Sequence, residues 1–200
     1  MKHVSIIVPA GDAILSSIVG TYKIFSAVNS YLKQSGQAQE DYYQIDLVGI
    51  TPESSYFGGA FKAHPNKTID EIKKTDLIVV TALFGDMQKE LSKNAPLIPW
   101  IRDQRIKNDA EVASLCVGAF LLAETGLLNG KSCATHWSAQ HAFRMMYPQI
   151  NLLSEKVITE DNGIYTSGGA YSFLNLLLHL VEKYNGREAA IWCSKMFEIE

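Results

Sequence analysis

The sequence predicts an open α/β sandwich, in which helices cover both faces of a central, mainly parallel sheet. Short apolar runs alternate along the 200 residues with longer segments of helical periodicity. The run Asp76–Ala82 contains four consecutive aliphatic residues, as expected of a strand buried on both faces of a parallel sheet. The order strand, helix, strand, strand, helix, strand, helix requires the crossover connections that parallel strands use.

The first half of the chain predicts three strands and one long helix. The run His3–Val8 is short and β-branched, and Pro9 ends it, so it is predicted as a strand. A helix is predicted over Ser16–Ser35 from apolar residues at three- and four-residue spacing, with a glycine after its last turn. Gln44–Thr51 and Asp76–Ala82 are predicted as the next two strands.

The second half predicts further helices around one short strand. That strand, Glu111–Leu115, precedes a helix, and a hairpin is predicted from two weaker strands joined by an acidic turn that ends in glycine. The predicted helices are Pro96–Asn108, Val117–Thr125, Trp137–Tyr147 and Ala170–Tyr184, and the hairpin strands are Val157–Thr159 and Gly163–Thr166. In such a sheet, ligands bind at the carboxyl ends of the strands.

Composition excludes several classes of protein. A net charge of −3 argues against a broad phosphate-binding surface, and no apolar run has the roughly 18 residues of a membrane span. The apolar stretch at the N-terminus is too short for a signal peptide, and three widely spaced cysteines fit a reducing compartment, so a cytoplasmic location is expected. No metal-ligand spacing or dinucleotide fingerprint is present, so we expect neither a metal nor another cofactor.

Cys116 lies where a predicted strand runs into a predicted helix. Gly118 and Ala119 follow it, and such small residues allow a helix to pack closely against a sharp turn that exposes a nucleophile. The positive end of the helix would favour a thiolate and make Cys116 more reactive than the other cysteines. The alternative is that Cys116 is a small buried core residue, a common role for a free cysteine.

His136 follows Cys116 by 20 residues, which leaves room for one helix and a short return strand. That connection could bring the imidazole beside the cysteine, where it could share a proton with the thiol. The alternative is that His136 caps or packs against the helix predicted to start at Trp137.

Together these segments resemble the ThiJ/PfpI superfamily, which has the fold of the class-I glutamine amidotransferases. The resemblance covers nearly the whole chain, including the first strand with its Pro-Ala-Gly end, the cysteine elbow and the segment from Gly126 to Trp137. The motifs Thr135–Trp137 and Thr166–Ala170 are typical of the sensing domain of GlxA-type AraC regulators. Isonitrile hydratase shares much of this pattern. The resemblance implies a flavodoxin-like sandwich.

The resemblance also implies the residues of a site. Cys116 would be the nucleophile on the elbow and His136 its partner, while Ser17 stands where the enzymes have a carboxylic acid. The loop after the strand Asp76–Ala82 lacks the paired glycines of an oxyanion site. The residues expected to bind a ligand are Ser17, Leu83, Phe84, Cys116, Val117, His136 and Trp137.

Two functions follow from this pattern. The first is a small-molecule-sensing domain of an AraC-type transcriptional regulator without catalytic activity, which the serine at position 17 favours. The alternative is a free-standing cysteine-dependent hydrolase, hydratase or amidase, for which Cys116 and His136 are intact. Residues 1–200 are expected to form one domain. DNA binding is expected only through a helix-turn-helix domain, which would lie beyond residue 200.

A homodimer is predicted from the first helix. Its apolar stripe includes Tyr22, Phe25, Val28 and Leu32, and it is broader than one sheet face requires. Exposed apolar patches on soluble domains often mark interfaces, and the resembled family commonly dimerises.

Overall fold

A seven-stranded sheet organises the chain in the computed structural model, which describes residues 1–153, 155–169 and 171–199. The strands are β1 (Lys2–Val8), β2 (Tyr43–Gly49), β3 (Ser54–Tyr56), β4 (Phe61–Ala63), β5 (Lys67–Thr68), β6 (Leu77–Val80), β7 (Glu111–Ser114), β8 (Ser132–Cys133), β9 (Asn151–Leu152), β10 (Ile158–Asp161) and β11 (Ile164–Ser167). The helices are α1 (Leu15–Gln34), α2 (Met87–Lys93), α3 (Leu97–Asn108), α4 (Ala119–Glu124), α5 (Gln140–Met146), α6 (Phe173–Asn185) and α7 (Arg187–Phe197).

The predicted fold class is confirmed. The strand order is β10-β11-β7-β6-β1-β2-β5, and every neighbouring pair is parallel except β10 with β11, which form the predicted hairpin. One apolar core lies between the sheet and helices α1, α6 and α7, and a second lies between the sheet and helices α2 to α5. The predicted strands agree with the observed ones to within two residues at each end.

Three predicted helices, α4, α5 and α6, begin two or three residues later than expected. Cys116–Gly118 forms a 3₁₀ turn before α4, and Cys116 itself has a φ of 55°, outside the α-helical region. Trp137–Ala139 is likewise a 3₁₀ turn before α5. The helix predicted over Ala170–Tyr184 is α6, and its expected first residue lies outside the described residues.

Several short elements escaped the sequence analysis. Strands β3 and β4 form a small separate hairpin, β8 pairs only with β9, and β5 adds two residues to the sheet edge. Helix α2 follows Asp86, whose carboxylate accepts a hydrogen bond from the Lys89 backbone and caps the helix. This helix is important because it supplies one wall of the cavity described below.

The apolar stripe of α1 divides between core and surface. Phe25, Val28 and Leu32 are buried in the core, whereas Tyr22 is 45% exposed and its neighbour Val19 is 54% exposed. The sheet therefore covers most of the stripe, and the homodimer stays a prediction. No helix in the described part of the chain is both long and apolar enough to cross a membrane.

A polar cluster joins the amino-terminal end of the sheet to helix α6. Glu111, the first residue of β7, accepts hydrogen bonds from the hydroxyls of Tyr165 (2.5 Å) and Tyr184 (2.6 Å). Lys2 lies 3.3 Å from the same carboxylate. Burial alone would raise the pKa of Glu111, but the two hydroxyls and the Lys2 charge outweigh it and lower that pKa to about 2.

We expect Glu111 to make the stability of the protein depend on pH. Its folded pKa lies below the unfolded value, so its contribution is present above about pH 5 and is lost as the pH falls towards 2. E111Q should lower the free energy of unfolding at pH 7 by about 3 kcal/mol and flatten its pH dependence in this range. Urea denaturation at several pH values measures both effects, and E40Q, in an exposed loop, is the matched control. Equal stability of E111Q and E40Q at pH 7 would contradict this account.

Candidate functional site

The turn between β7 and α4 presents Cys116 at the carboxyl end of the sheet. The Leu115 N–H donates a hydrogen bond to the Val80 carbonyl (2.9 Å), so β7 stays paired with β6 up to the turn. A Cβ atom on Gly118 would lie 2.6 Å from the Val80 oxygen and 2.8 Å from the Thr81 oxygen. Only glycine allows this approach without displacing the backbone of the neighbouring strand, which explains the small residue predicted to be needed here.

The two motifs that follow Cys116 in the chain meet at its turn. Thr135 Oγ1 donates a hydrogen bond to the Cys116 carbonyl (3.1 Å), and the Cys116 N–H donates to Ser167 Oγ (3.4 Å). The Ala134 N–H donates to Thr166 Oγ1 at 2.6 Å. The threonine and serine hydroxyls of both motifs therefore fix the backbone of the elbow.

A cavity of about 360 Å³ opens beside the elbow. It brings together five of the predicted ligand-binding residues, namely Leu83, Phe84, Cys116, Val117 and His136. The other lining residues were not predicted from the sequence; they are Ile14, Gly85, Met87, Phe120, Ser138, Ala139 and Ala142. Met87 belongs to a helix that was not predicted, and the remaining residues have no chemical signature that separates a cavity wall from a core.

Ser17 and Trp137 are not among the residues that line this cavity. Ser17 is fully buried, and its hydroxyl donates to the Ile14 carbonyl (2.7 Å) and accepts from the Ala82 N–H (3.1 Å). It therefore joins the first turn of α1 to the segment after β6. Trp137 is 75% exposed, and its ring lies 5.6 Å from the His136 ring.

The Cys116 thiol is buried, with only 2% of the residue exposed. Burial raises the pKa of this thiol to about 11, and a hydrogen bond from the Val117 backbone offsets only part of the effect. The expectation of a helix-stabilised thiolate is therefore wrong, because burial dominates the pKa of this thiol. Burial also raises the pKa of Cys133 to about 12 and that of Cys193 to about 11.

His136 caps a turn, as one of its two predicted roles required, and it also lines the cavity. Its Nδ1 accepts a hydrogen bond from the Ser138 backbone N–H (3.3 Å) and lies 2.7 Å from Ser138 Oγ, so it caps the turn that begins at Trp137. The same ring lines the cavity together with Cys116. Across the described residues, no three histidine, cysteine or acidic side chains are grouped so that they could hold a metal ion.

We expect Cys116 to react slowly with alkylating agents. A pKa near 11 instead of 9 leaves about 100-fold less thiolate at neutral pH, and burial restricts access further. In a C133S/C193S variant, iodoacetamide should modify folded Cys116 at least 100-fold more slowly than the same protein unfolded in urea, as mass spectrometry would show. Modification of the folded protein as fast as the unfolded one would contradict the buried thiol.

Comparisons with known proteins agree with this architecture. The HTH-type transcriptional regulator CdhR of Pseudomonas aeruginosa is 25% identical over 166 residues, which are 83% of this chain and 48% of the regulator. The isonitrile hydratase of Pseudomonas putida is 27% identical over 150 residues, 74% of this chain and 62% of the enzyme. The crystal structure of an AraC family transcriptional regulator from Pseudomonas putida superposes with a TM-score of 0.79 at 16% identity, covering 98% of this chain and 100% of that one.

The chain spans about half the length of the curated regulators that it matches. The sequence profile of the DJ-1/PfpI family matches residues 21–183, a range that holds the elbow, His136 and both motifs around them. The chain therefore belongs to the DJ-1/PfpI family.

Proposed function

We propose that this chain is the small-molecule-sensing domain of an AraC-type transcriptional regulator and that it binds its effector beside Cys116 without catalysis. The regulators among its relatives support the first part of this proposal. The cavity supports the second part, because it is mostly apolar and of the size of known small-molecule sites.

The chemistry of the cavity walls is the observation on which the proposal depends. None of the described residues lining the cavity is a carboxylic acid, and the thiol is protonated at neutral pH. A hydrolytic cycle needs groups that deliver and recover protons, and each one that is missing typically costs about 10² to 10⁴ in rate. His136 is the one lining imidazole among those residues, and its Nδ1 is already used to cap a turn.

This assignment has consequences for DNA binding, dimerisation and cellular location. Binding to DNA requires a helix-turn-helix domain outside this chain, and a homodimer would suit paired DNA half-sites. The exposed Val19 and Tyr22 of α1 offer an apolar surface for such a dimer. A cytoplasmic location fits both DNA binding and three cysteines without a disulfide.

The competing function is a cysteine-dependent hydratase or hydrolase. Isonitrile hydratase is among the relatives, and Cys116 and His136 do line one cavity. The burial of the thiol and the lack of an acid among the described lining residues favour the sensor.

Filling the cavity should abolish ligand binding without unfolding the protein. Ala142 lines the cavity from an exposed position on α5, so A142W should occupy it, whereas M145W adds the same ring elsewhere on that helix. A screen of small metabolites by thermal shift should find compounds that raise the Tm of the wild type and of M145W but not of A142W. Ligands that stabilise A142W equally well, or a complete absence of ligands, would contradict the proposal.

Catalysis should be negligible. The purified chain, assayed with amides, isonitriles and glyoxal-type substrates, should give rates equal to those of C116A, because burial keeps the thiol protonated. Turnover by the wild type that C116A loses would favour the hydratase or hydrolase instead.

A further inference from the structure

We infer that the cavity beside Cys116 selects a small, uncharged and mainly apolar ligand with one hydrogen-bond acceptor, which the Nε2–H of His136 binds. The inference rests on the proposed function, because it names the class of molecule that the sensing site would bind. It depends on three properties of the site: the tautomer of His136, the charge of the walls and the volume of the cavity.

The hydrogen bonds of Ser138 determine the tautomer of His136. A backbone N–H can only donate, so the Ser138 N–H that faces Nδ1 requires an unprotonated Nδ1. The Ser138 hydroxyl, 2.7 Å from the same nitrogen, can donate to it as well. The neutral ring therefore carries its proton on Nε2. Ser138 is in this sense a positioning residue for His136.

The Nε2–H is left as a donor for a ligand. Within residues 1–153, 155–169 and 171–199, no protein group accepts a hydrogen bond from this nitrogen, although the ring lines the cavity. A ligand that buries the N–H must supply an acceptor, because an unmatched buried donor costs about 1 to 3 kcal/mol. A carbonyl oxygen, an ether oxygen or a nitrile nitrogen meets this requirement.

The walls provide no charge for an ionic ligand. No Asp, Glu, Lys or Arg is found among the described residues that line the cavity. Glu90 lies behind Gly85, where its Oε1 is paired with Lys93 at 2.7 Å, and its Oε2 lies beside Gly11, which does not line the cavity. A carboxylate or an ammonium group would lose its hydration here without gaining a counter-charge, which disfavours both.

The volume and the apolar walls define the rest of the ligand. A dry apolar cavity of about 150 Å³ is sufficient for benzene. About 360 Å³ beside Leu83, Met87, Val117 and Phe120 therefore accepts one substituted ring or a branched chain of similar size. Burial of such a group supplies the affinity, at about 25 cal/mol per Å² of apolar surface, while His136 fixes its orientation.

Four probes of one shape test the ligand class. Acetophenone is neutral and has an acceptor, isopropylbenzene has the same shape without one, benzoate is an anion and benzylammonium is a cation. Titrations of the chain, followed by NMR chemical shifts, should show acetophenone binding at least 10-fold more tightly than either ion. A142W should abolish the binding of acetophenone, and M145W should retain it.

Two substitutions of His136 test whether its Nε2–H donates a hydrogen bond to the ligand. H136L removes the N–H and should weaken acetophenone binding about 3- to 10-fold, the range expected for one hydrogen bond. H136Q places an amide N–H near the position of Nε2 and should restore part of this loss. H136L should bind isopropylbenzene at least as tightly as the wild type, because it leaves no buried donor unmatched, and H136Q should bind it as the wild type does. The ¹⁵N spectrum of the free protein should also show the Nε2–H tautomer of His136.

The experiments distinguish a failure of the ligand class from a failure of the proposed function. Benzoate or benzylammonium binding as tightly as acetophenone, and lost in A142W, would overturn the ligand class but leave the sensing site intact. The absence of binding by all four probes, equal effects of H136L on acetophenone and isopropylbenzene, or an Nδ1–H tautomer would also overturn the inference. Acetophenone binding that A142W retains would place the ligand elsewhere, and the proposed function would then fail with the inference.

Discussion

The close approach of Gly118 to the carbonyl oxygens of Val80 and Thr81 is the constraint on which the site depends. It allows the chain to leave β7, turn sharply at Cys116 and start α4 directly against the end of β6. The positive φ of Cys116 is unfavourable for a residue with a side chain, and it persists because Thr135 and Ser167 hold the backbone on both sides. The elbow is thus determined by contacts between distant segments.

The same packing that creates the elbow determines the chemistry of its thiol. A nucleophile at such a turn gains reactivity only if a charge or a base compensates for its burial, and here burial predominates. Ser17 stands where the resemblance implied an acid in the enzymes, and its hydroxyl already has two backbone partners. This fold can therefore retain the geometry of a cysteine enzyme while the cavity acts only as a binding site, as we propose.

The sequence predicted the parallel sheet, because burial patterns report on long elements, and it named five of the residues that line the cavity, including Cys116 and His136. It did not predict α2 or the two short hairpin strands β3 and β4, since seven- and three-residue elements carry little periodicity. It also misjudged the thiol. The pKa of Cys116 depends on how many atoms surround the sulfur, and no local sequence signal reports that number.

The two ends of β7 differ in the groups that they leave available to a ligand. Glu111, at the amino-terminal end, has its carboxylate satisfied by two tyrosine hydroxyls and a lysine, so this residue fixes the sheet to α6 and has little capacity left to bind a ligand. At the other end, beside Cys116, the walls are apolar and His136 keeps one unmatched N–H among the described residues. A strand fixed at one end gives the cavity at the other a rigid wall, and rigid walls favour selection by shape. In such a site one donor is enough to orient a ligand, because the apolar surface supplies most of the binding free energy.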